Sequence, residues 1–260
     1  MKLGISSSCY YPLETERSLA LIGQAGAKTA EIFFNAPSEL QPPLLRELCS
    51  IRDHFGMDIV SVHPFMSFAE DFYIFSEYER RFTDSLDFYK YFFSAAQTLG
   101  ASLFVLHGAR HLHIEKELYA ARLFQLNETA KAFGVRVAHE NVVHYVGESP
   151  AFMAFLKQQL QADFQMVLDL KQARRAGVDP FAFLDCVGES IVHLHVSDGD
   201  ETHDCLPPGT GTFDFPRLFA ELKKRGYHGA CLIELYRHNF SENAALTDGL
   251  RYLETVAISR

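Results

Sequence analysis

Residues 191–205 read IVHLHVSDGDETHDC, an apolar strand that runs into an acidic loop. Strand alternation puts His193 and His195 on one face and Leu194 and Val196 on the other. Solvation accounts for Asp198, Asp200, Glu201 and Asp204, but not for two imidazoles inside an apolar run. The rest of the chain decides what that face looks into.

Working outward, short apolar runs alternate with amphipathic segments from end to end. Strands are expected at residues 3–7, 29–34, 59–63, 103–107, 135–140, 165–170, 191–197 and 230–235. A helical segment follows each, the last spanning 241–260, and those after the fifth and sixth strands are short. Asp179 and Pro180 supply an N-cap and a first-turn proline. Asp214 caps FPRLFAELKKRG, where Leu218, Phe219 and Leu222 share a face and Gly226 ends the helix. Gly26, Gly56, Gly100 and Gly134 stand similarly between a helix and the next strand. Strands apolar on both faces that alternate with helices indicate a parallel sheet covered by helices. Eight βα units in about 250 residues make a closed (β/α)₈ barrel, with a doubly wound open sheet as the competitor. No linker, low-complexity tract or composition break divides the chain, so residues 1–260 are read as one α/β domain.

Composition narrows the function. Charged residues make up 22% and the net charge is −9, which disfavours a polyanionic partner such as nucleic acid. The five cysteines are dispersed without a CxxC pair, the pattern of reduced thiols. MKLGISSSCYYP turns polar too soon for a secretory signal, and no apolar run approaches the roughly 20 residues needed to cross a bilayer. The expected location is the cytoplasm, with no membrane partner; a homo-oligomer is compatible with the sequence.

In such a barrel, chemistry gathers where strands lead into the following helices. Those ends read SVHPF, FVLHGAR, VAHEN, MVLDL, HLHVSD and LIELY, and they carry His63, His107, Glu140, Asp169, His195 and Glu234. One such residue is readily a hydrogen-bonded rim position; six on successive strands are not readily coincidence. Three imidazoles and three carboxylates form the mixed donor set of Zn²⁺, Mn²⁺ or a related divalent ion, with Mg²⁺ and Co²⁺ also allowed. Without a cation the carboxylates repel one another and their pKa values rise. His195 is expected at the mouth, with His193 one layer deeper as a supporting or core residue. Asp198 is expected to hold an imidazole in its ligating tautomer.

With these residues in place, the chain resembles the xylose isomerase-like barrels: sugar and sugar-phosphate isomerases and epimerases, together with endonuclease IV. The resemblance rests on SVHPF, LHG, HEN, LDLKQ, HLHVSD, the PPGTGTFDF loop and IELY, and it covers essentially the whole chain. It implies one metal held by Glu140, Asp169, His195 and Glu234. From the endonuclease branch it implies further ligands at His63 and His107, and a loop counterpart in Glu201-Thr202-His203. Both branches carry a histidine three residues after the strand-six Asp, where this chain has Gln172. Gln172 is a poor ligand that can hydrogen-bond a hydroxyl, which leaves a one- or two-metal site and argues against three ions.

The expected function is therefore a divalent-metal-dependent isomerase or epimerase of a small sugar or sugar phosphate, acting through a metal-stabilised enediolate. Glu140 and Glu234 are expected to serve as base and acid. Hydride shift of the xylose isomerase type is disfavoured because no lysine follows Glu140 in NVVHYVGES. Lys171 is read as a surface or substrate-binding residue. The alternatives are an abasic-site phosphodiesterase, a sugar-derivative dehydratase on the same site, and a non-catalytic sugar-binding barrel.

Substrate contacts are expected from Gln172, His203, Arg237 and Phe65. Phe65, Phe68, Phe72 and Tyr73 either cover a sugar face or pack on the next helix. Tyr10, Tyr11, Phe33 and Phe34 pose the same choice. Arg110, His111, His113, Arg174 and Arg175 are basic residues near the mouth, with solvated surface the default for the last two. Pro207–Gly211 lacks the GK[ST] of a phosphate loop and is read as a rim element.

Overall fold

The computed structural model describes residues 1–111 and 113–258. Its backbone closes a barrel of eight parallel strands in sequence order. These are β1 (Lys2–Ser6), β2 (Thr29–Phe33), β3 (Asp58–His63), β4 (Leu103–Leu106), β5 (Arg136–Glu140), β6 (Met166–Asp169), β7 (Ile191–Val196) and β8 (Ala230–Ile233). Closure comes from β1 pairing with β8, with Lys2 opposite Ala230 and Ile5 opposite Ile233. The closed ring excludes the open-sheet alternative.

The surrounding layer comprises α1 (Thr15–Gln24), α2 (Pro42–Phe55), α3 (Glu70–Tyr73), α4 (Glu79–Leu99), α5 (Lys116–Lys131), α6 (Pro150–Leu160), α7 (Leu170–Arg175), α8 (Pro180–Val187), α9 (Phe215–Lys224) and α10 (Ala244–Ile258). The expected caps form: Asp179 accepts from Phe181 N at 3.0 Å and Asp214 from Arg217 N at 2.8 Å. Gly100 ends α4 at φ 80°, a conformation a β-carbon would oppose. The final helix stops within the expected span, whose last two residues, 259 and 260, lie outside the described part. Among the described residues no helix is long and apolar enough to cross a membrane.

Two apolar layers hold these elements. Outward-facing Ile32, Val62, Phe104, Leu168 and Leu194 pack with helix residues such as Leu48, Phe92, Phe93, Leu156 and Phe215 in the principal core. Each fully buried large side chain there stabilises the fold by about 2–3 kcal/mol. Inside the barrel, a smaller cluster of Leu103, Val105, Ala138 and Val167 fills the lower part. Beside it and toward the strand ends, the inward positions turn polar and stay buried: Glu31, Ser61, His63, Glu140, Asp169, His193 and His195. Burying so much polarity is costly unless the groups satisfy one another or a ligand.

Candidate metal centre and active-site cavity

Glu140 and Asp169 end β5 and β6, His195 is the penultimate residue of β7, and Glu234 directly follows β8. Parallel pairing sets their heights: Asp169 lies opposite His195, and Val196 opposite Ile233. Each of the four offers a ligand atom, and these atoms lie within 4.8 Å of one another. A second group, His63, His107 and Glu140, meets the same criterion and shares Glu140 with the first. Six side chains remote in sequence thus converge on one mouth.

The donors are aimed as ligation requires. His195 Nε2 sits 3.1 Å from Glu31 Oε2, while its Nδ1 sits 3.1 Å from Glu140 Oε1 and 3.5 Å from Glu234 Oε2. A proton on Nε2 directed at Glu31 leaves the Nδ1 lone pair for the quartet. His63 directs Nδ1 at the Pro64 carbonyl, 3.2 Å away, which frees Nε2 to face His107 Nε2 at 2.8 Å. Gly108, at φ 86°, lets the chain behind His107 pass close to Tyr119 and His139, where a β-carbon would collide.

Two buried oxygens test the fit of a cation. Glu140 Oε2 and Asp169 Oδ2 accept no hydrogen bond, although His107 Nε2 and Lys171 Nζ approach them at 3.1 and 3.3 Å. Buried carboxylate oxygens without a hydrogen bond fit a divalent ion with oxygen and imidazole donors. Burial pushes the Asp169 carboxyl up to about 7, and Glu234 and Glu140 add to that rise against the pull of Lys171. Burial also opposes ionisation of Glu234, but His195 and Lys171 outweigh it and bring that carboxyl down to about 2. Burial works against the His195 imidazolium, yet Glu234 and Glu31 hold its pKa well above the ordinary value. Burial likewise opposes ionisation of Glu140, but His107, His195 and His63 bring that carboxyl well below its ordinary value, so of the three only Asp169 rises, not all three as expected.

Glu31 was not among the expected site residues. It is fully buried and receives Ser61 Oγ at 2.7 Å, Ser6 Oγ at 3.0 Å, and His195 and His193 ring nitrogens at 3.1 and 3.3 Å. Glu31, His193 and His195 also form a group able to hold an ion. Its carboxylate is already saturated, however, in contrast to Glu140 and Asp169. The sequence signal was an acid in the middle of an apolar strand, TAEIFF, below the strand ends that the barrel rule selects. Asp198 does not hold an imidazole as expected: its carboxylate accepts from Gly199 N, Gly209 N and Phe213 N at 2.8, 2.9 and 3.0 Å and shapes the rim loop.

A cavity of 460 Å³ opens above the cage, lined by His63, His107, Glu140 and Glu234 together with Phe33, Phe65, Lys171, Gln172, Tyr236 and Arg237. This volume is in the range of small-molecule sites. Gln172 Oε1 accepts from Val143 N at 3.2 Å, and Arg237 donates to the Phe240 carbonyl at 2.7 Å. Phe65 lines the cavity, whereas Phe68 and Phe72 are exposed outside it. Tyr11 lines it too; Tyr10 and Phe34 are core residues. His203 lies elsewhere, in an exposed groove with Arg174 and Asn239, its ring held by Asp200. Arg110 and His111 line another groove, Arg174 grips the Asp198 and Asp204 carbonyls, and Arg175 pairs with Asp204. Lys171 is not a surface residue: it is 2% exposed, with its ammonium 2.8 Å from Glu234 Oε2.

Comparison with known proteins agrees with this architecture. The family model described as xylose isomerase-like TIM barrel matches residues 19–256. An uncharacterised protein of Methanocaldococcus jannaschii is 24% identical over 251 residues, covering 90% of this chain and 83% of its own. The fructoselysine 3-epimerase of Escherichia coli O157:H7 is 22% identical over 251 residues, covering 90% of both chains. A crystal structure of a D-tagatose 3-epimerase-like protein superposes with a TM-score of 0.78 at 22% identity, over 100% of this chain and 99% of that one.

Proposed function

The chain belongs to the xylose isomerase-like TIM-barrel family, and from that premise we propose that it is a divalent-metal-dependent isomerase or epimerase of a small sugar or sugar phosphate. The observation that carries this reading is the quartet Glu140, Asp169, His195 and Glu234, with two buried carboxylate oxygens that accept no hydrogen bond, beneath a cavity of 460 Å³. The names of the similar proteins, a fructoselysine 3-epimerase and a D-tagatose 3-epimerase-like protein, support chemistry beside a sugar carbonyl.

The four residues would hold the ion, and Mn²⁺ or Zn²⁺ suits a set of three carboxylates and one imidazole. A bound divalent ion supplies Lewis acidity, polarising the sugar carbonyl so that the adjacent C–H gives up its proton more readily. Glu140 and Glu234 reach the cavity from β5 and from the end of β8, with two strands between them. One carboxylate takes the proton and the other returns one; return to the opposite face inverts the centre, and return to the neighbouring carbon, with the hydroxyl proton passed to the former carbonyl oxygen, isomerises the sugar. Gln172, Arg237 and Phe65 line the cavity and would offer an amide, a guanidinium and an aromatic ring to the substrate.

The test is deuterium incorporation from D₂O into a panel of ketoses and their phosphates by the Mn²⁺-loaded protein. Glu140→Gln and Glu234→Gln should keep the wild-type melting temperature and lose roughly 10²–10⁴ in rate. Wild-type rates in either variant, or exchange that survives complete removal of metal, would refute the assignment.

One observation favours an abasic-site phosphodiesterase: the His63, His107 and Glu140 group can hold a second ion beside the quartet. Against it, Gln172 stands where the resemblance calls for a histidine and His203 lies in a separate groove, so neither of these two positions adds an imidazole to the cage. Cleavage of abasic duplex DNA that falls steeply with salt would favour this second reading over the first.

A further inference from the structure

Lys171 holds a place in the cage that the proposed chemistry has not used. It is the second residue of α7, whose start is fixed by Asp169 Oδ1 accepting from Gln172 N at 2.9 Å. This cap turns Lys171 inward, over the Tyr236 ring at 4.7 Å and onto the cage. Its ammonium lies 2.8 Å from Glu234 Oε2 and 3.3 Å from Asp169 Oδ2. Both partners belong to the ligand quartet, and the ammonium also lines the cavity where a substrate would sit. Glu234 Oε1 accepts from Ser8 Oγ at 3.3 Å, so both oxygens of that carboxylate are held from the cavity side.

Charge counting gives the consequence. Counting the ligands alone, Glu140, Asp169 and Glu234 contribute three negative charges, and a divalent ion cancels two of them. Lys171 cancels the third, while the Glu31 carboxylate behind His195 is met by its own hydroxyl and imidazole partners. A buried cage left with an unpaired charge is costly, and it would repel negative charge developing on a substrate oxygen. An ion entering the quartet must also compete with the ammonium for Glu234 Oε2 and Asp169 Oδ2, and like charges at such distances repel strongly in a buried site.

We infer that Lys171 is a built-in cation of this metal centre, a positioning and charge-balancing residue that lowers the affinity for the divalent ion and in return neutralises the loaded site for catalysis. The inference rests on the quartet being a metal site. It makes an unusual prediction: removing a residue that touches two ligands should tighten metal binding. A lysine with a merely structural role would loosen it or leave it unchanged when removed.

The experiment is titration of metal-free protein with Mn²⁺ alone, followed by calorimetry or by the electron paramagnetic resonance of free Mn²⁺. Wild type, Lys171→Met, Lys171→Gln and Lys171→Arg are compared, each checked for an intact fold by melting. The Met and Gln variants should bind Mn²⁺ about tenfold or more tightly than wild type. The Arg variant should stay close to wild type. With substrate, the neutral variants should lose kcat by about tenfold or more while KM changes little, and Arg should restore part of it. If Met fails to fold, Gln carries the comparison. Equal or weaker Mn²⁺ binding in the neutral variants overturns the role of Lys171 while leaving the quartet intact. Failure of wild type to bind Mn²⁺, or binding unaffected by Asp169→Asn, overturns the metal site and this inference with it.

Discussion

Replacing Glu31 by Gln tests how the barrel interior supports the cage above it. The substitution keeps size and shape. The amide oxygen can still accept from the histidine side, and its NH₂ can turn to Ser6, whose hydroxyl accepts as well as donates. What disappears is the charge that His195 Nε2 meets at 3.1 Å and His193 Nε2 at 3.3 Å. A charge-assisted hydrogen bond becomes an ordinary one, and the His195 ring loses the partner that makes its Nδ1 a stronger donor. Changes of this kind weaken metal affinity by roughly 10–100-fold, or about 1.4–2.7 kcal/mol. The assay is the Mn²⁺ dissociation constant of metal-free protein, with melting curves to show that the barrel remains closed. A Glu31→Gln variant within twofold of wild type would mean that Glu31 does not act through His195.

Two further substitutions probe the scaffold. Burial first, then the Glu140 and Asp71 charges, hold the Glu70 carboxyl well above its ordinary pKa of 4.5, against the pull of backbone N–H groups including that of Gly108. For a raised folded pKa, its stabilising contribution is complete below the unfolded value and is lost as pH rises toward the folded one. Glu70→Gln, which cannot ionise, should therefore melt increasingly above wild type as pH rises beyond about 4.5; a difference that stays flat with pH would refute this. Asp198→Ala strips the partner from three backbone N–H groups, of Gly199, Gly209 and Phe213. At about 1–3 kcal/mol for each unpaired donor, the melting temperature should fall by roughly 10 °C, and a loss under about 2 °C would show that the loop finds other partners.

The barrel was legible because strands buried on both faces leave little reason for a polar residue, so those at the strand ends stand out. That same rule located Glu140, Asp169, His195 and Glu234, which the structure brings within 4.8 Å. It passed over Glu31, whose partners His193 and His195 are reached only once β2 and β7 face each other across the closed barrel. Asp198 was misread because its role depends on where three backbone N–H groups of the rim loop end up, which no local pattern encodes. The inward turn of Lys171 depends on the cap at Asp169 and on the burial of the whole first turn of α7, Leu170 to Ala173, which no local apolar pattern announces. His203 carried a suggestive spacing, but Asp200 secures its ring within its own exposed loop.

The most direct test of the account is anomalous diffraction from a crystal grown with Mn²⁺. A peak is expected in contact with Glu140, Asp169, His195 and Glu234 at the floor of the cavity. A fully loaded crystal whose ion binds elsewhere, or touches none of these four residues, would contradict it.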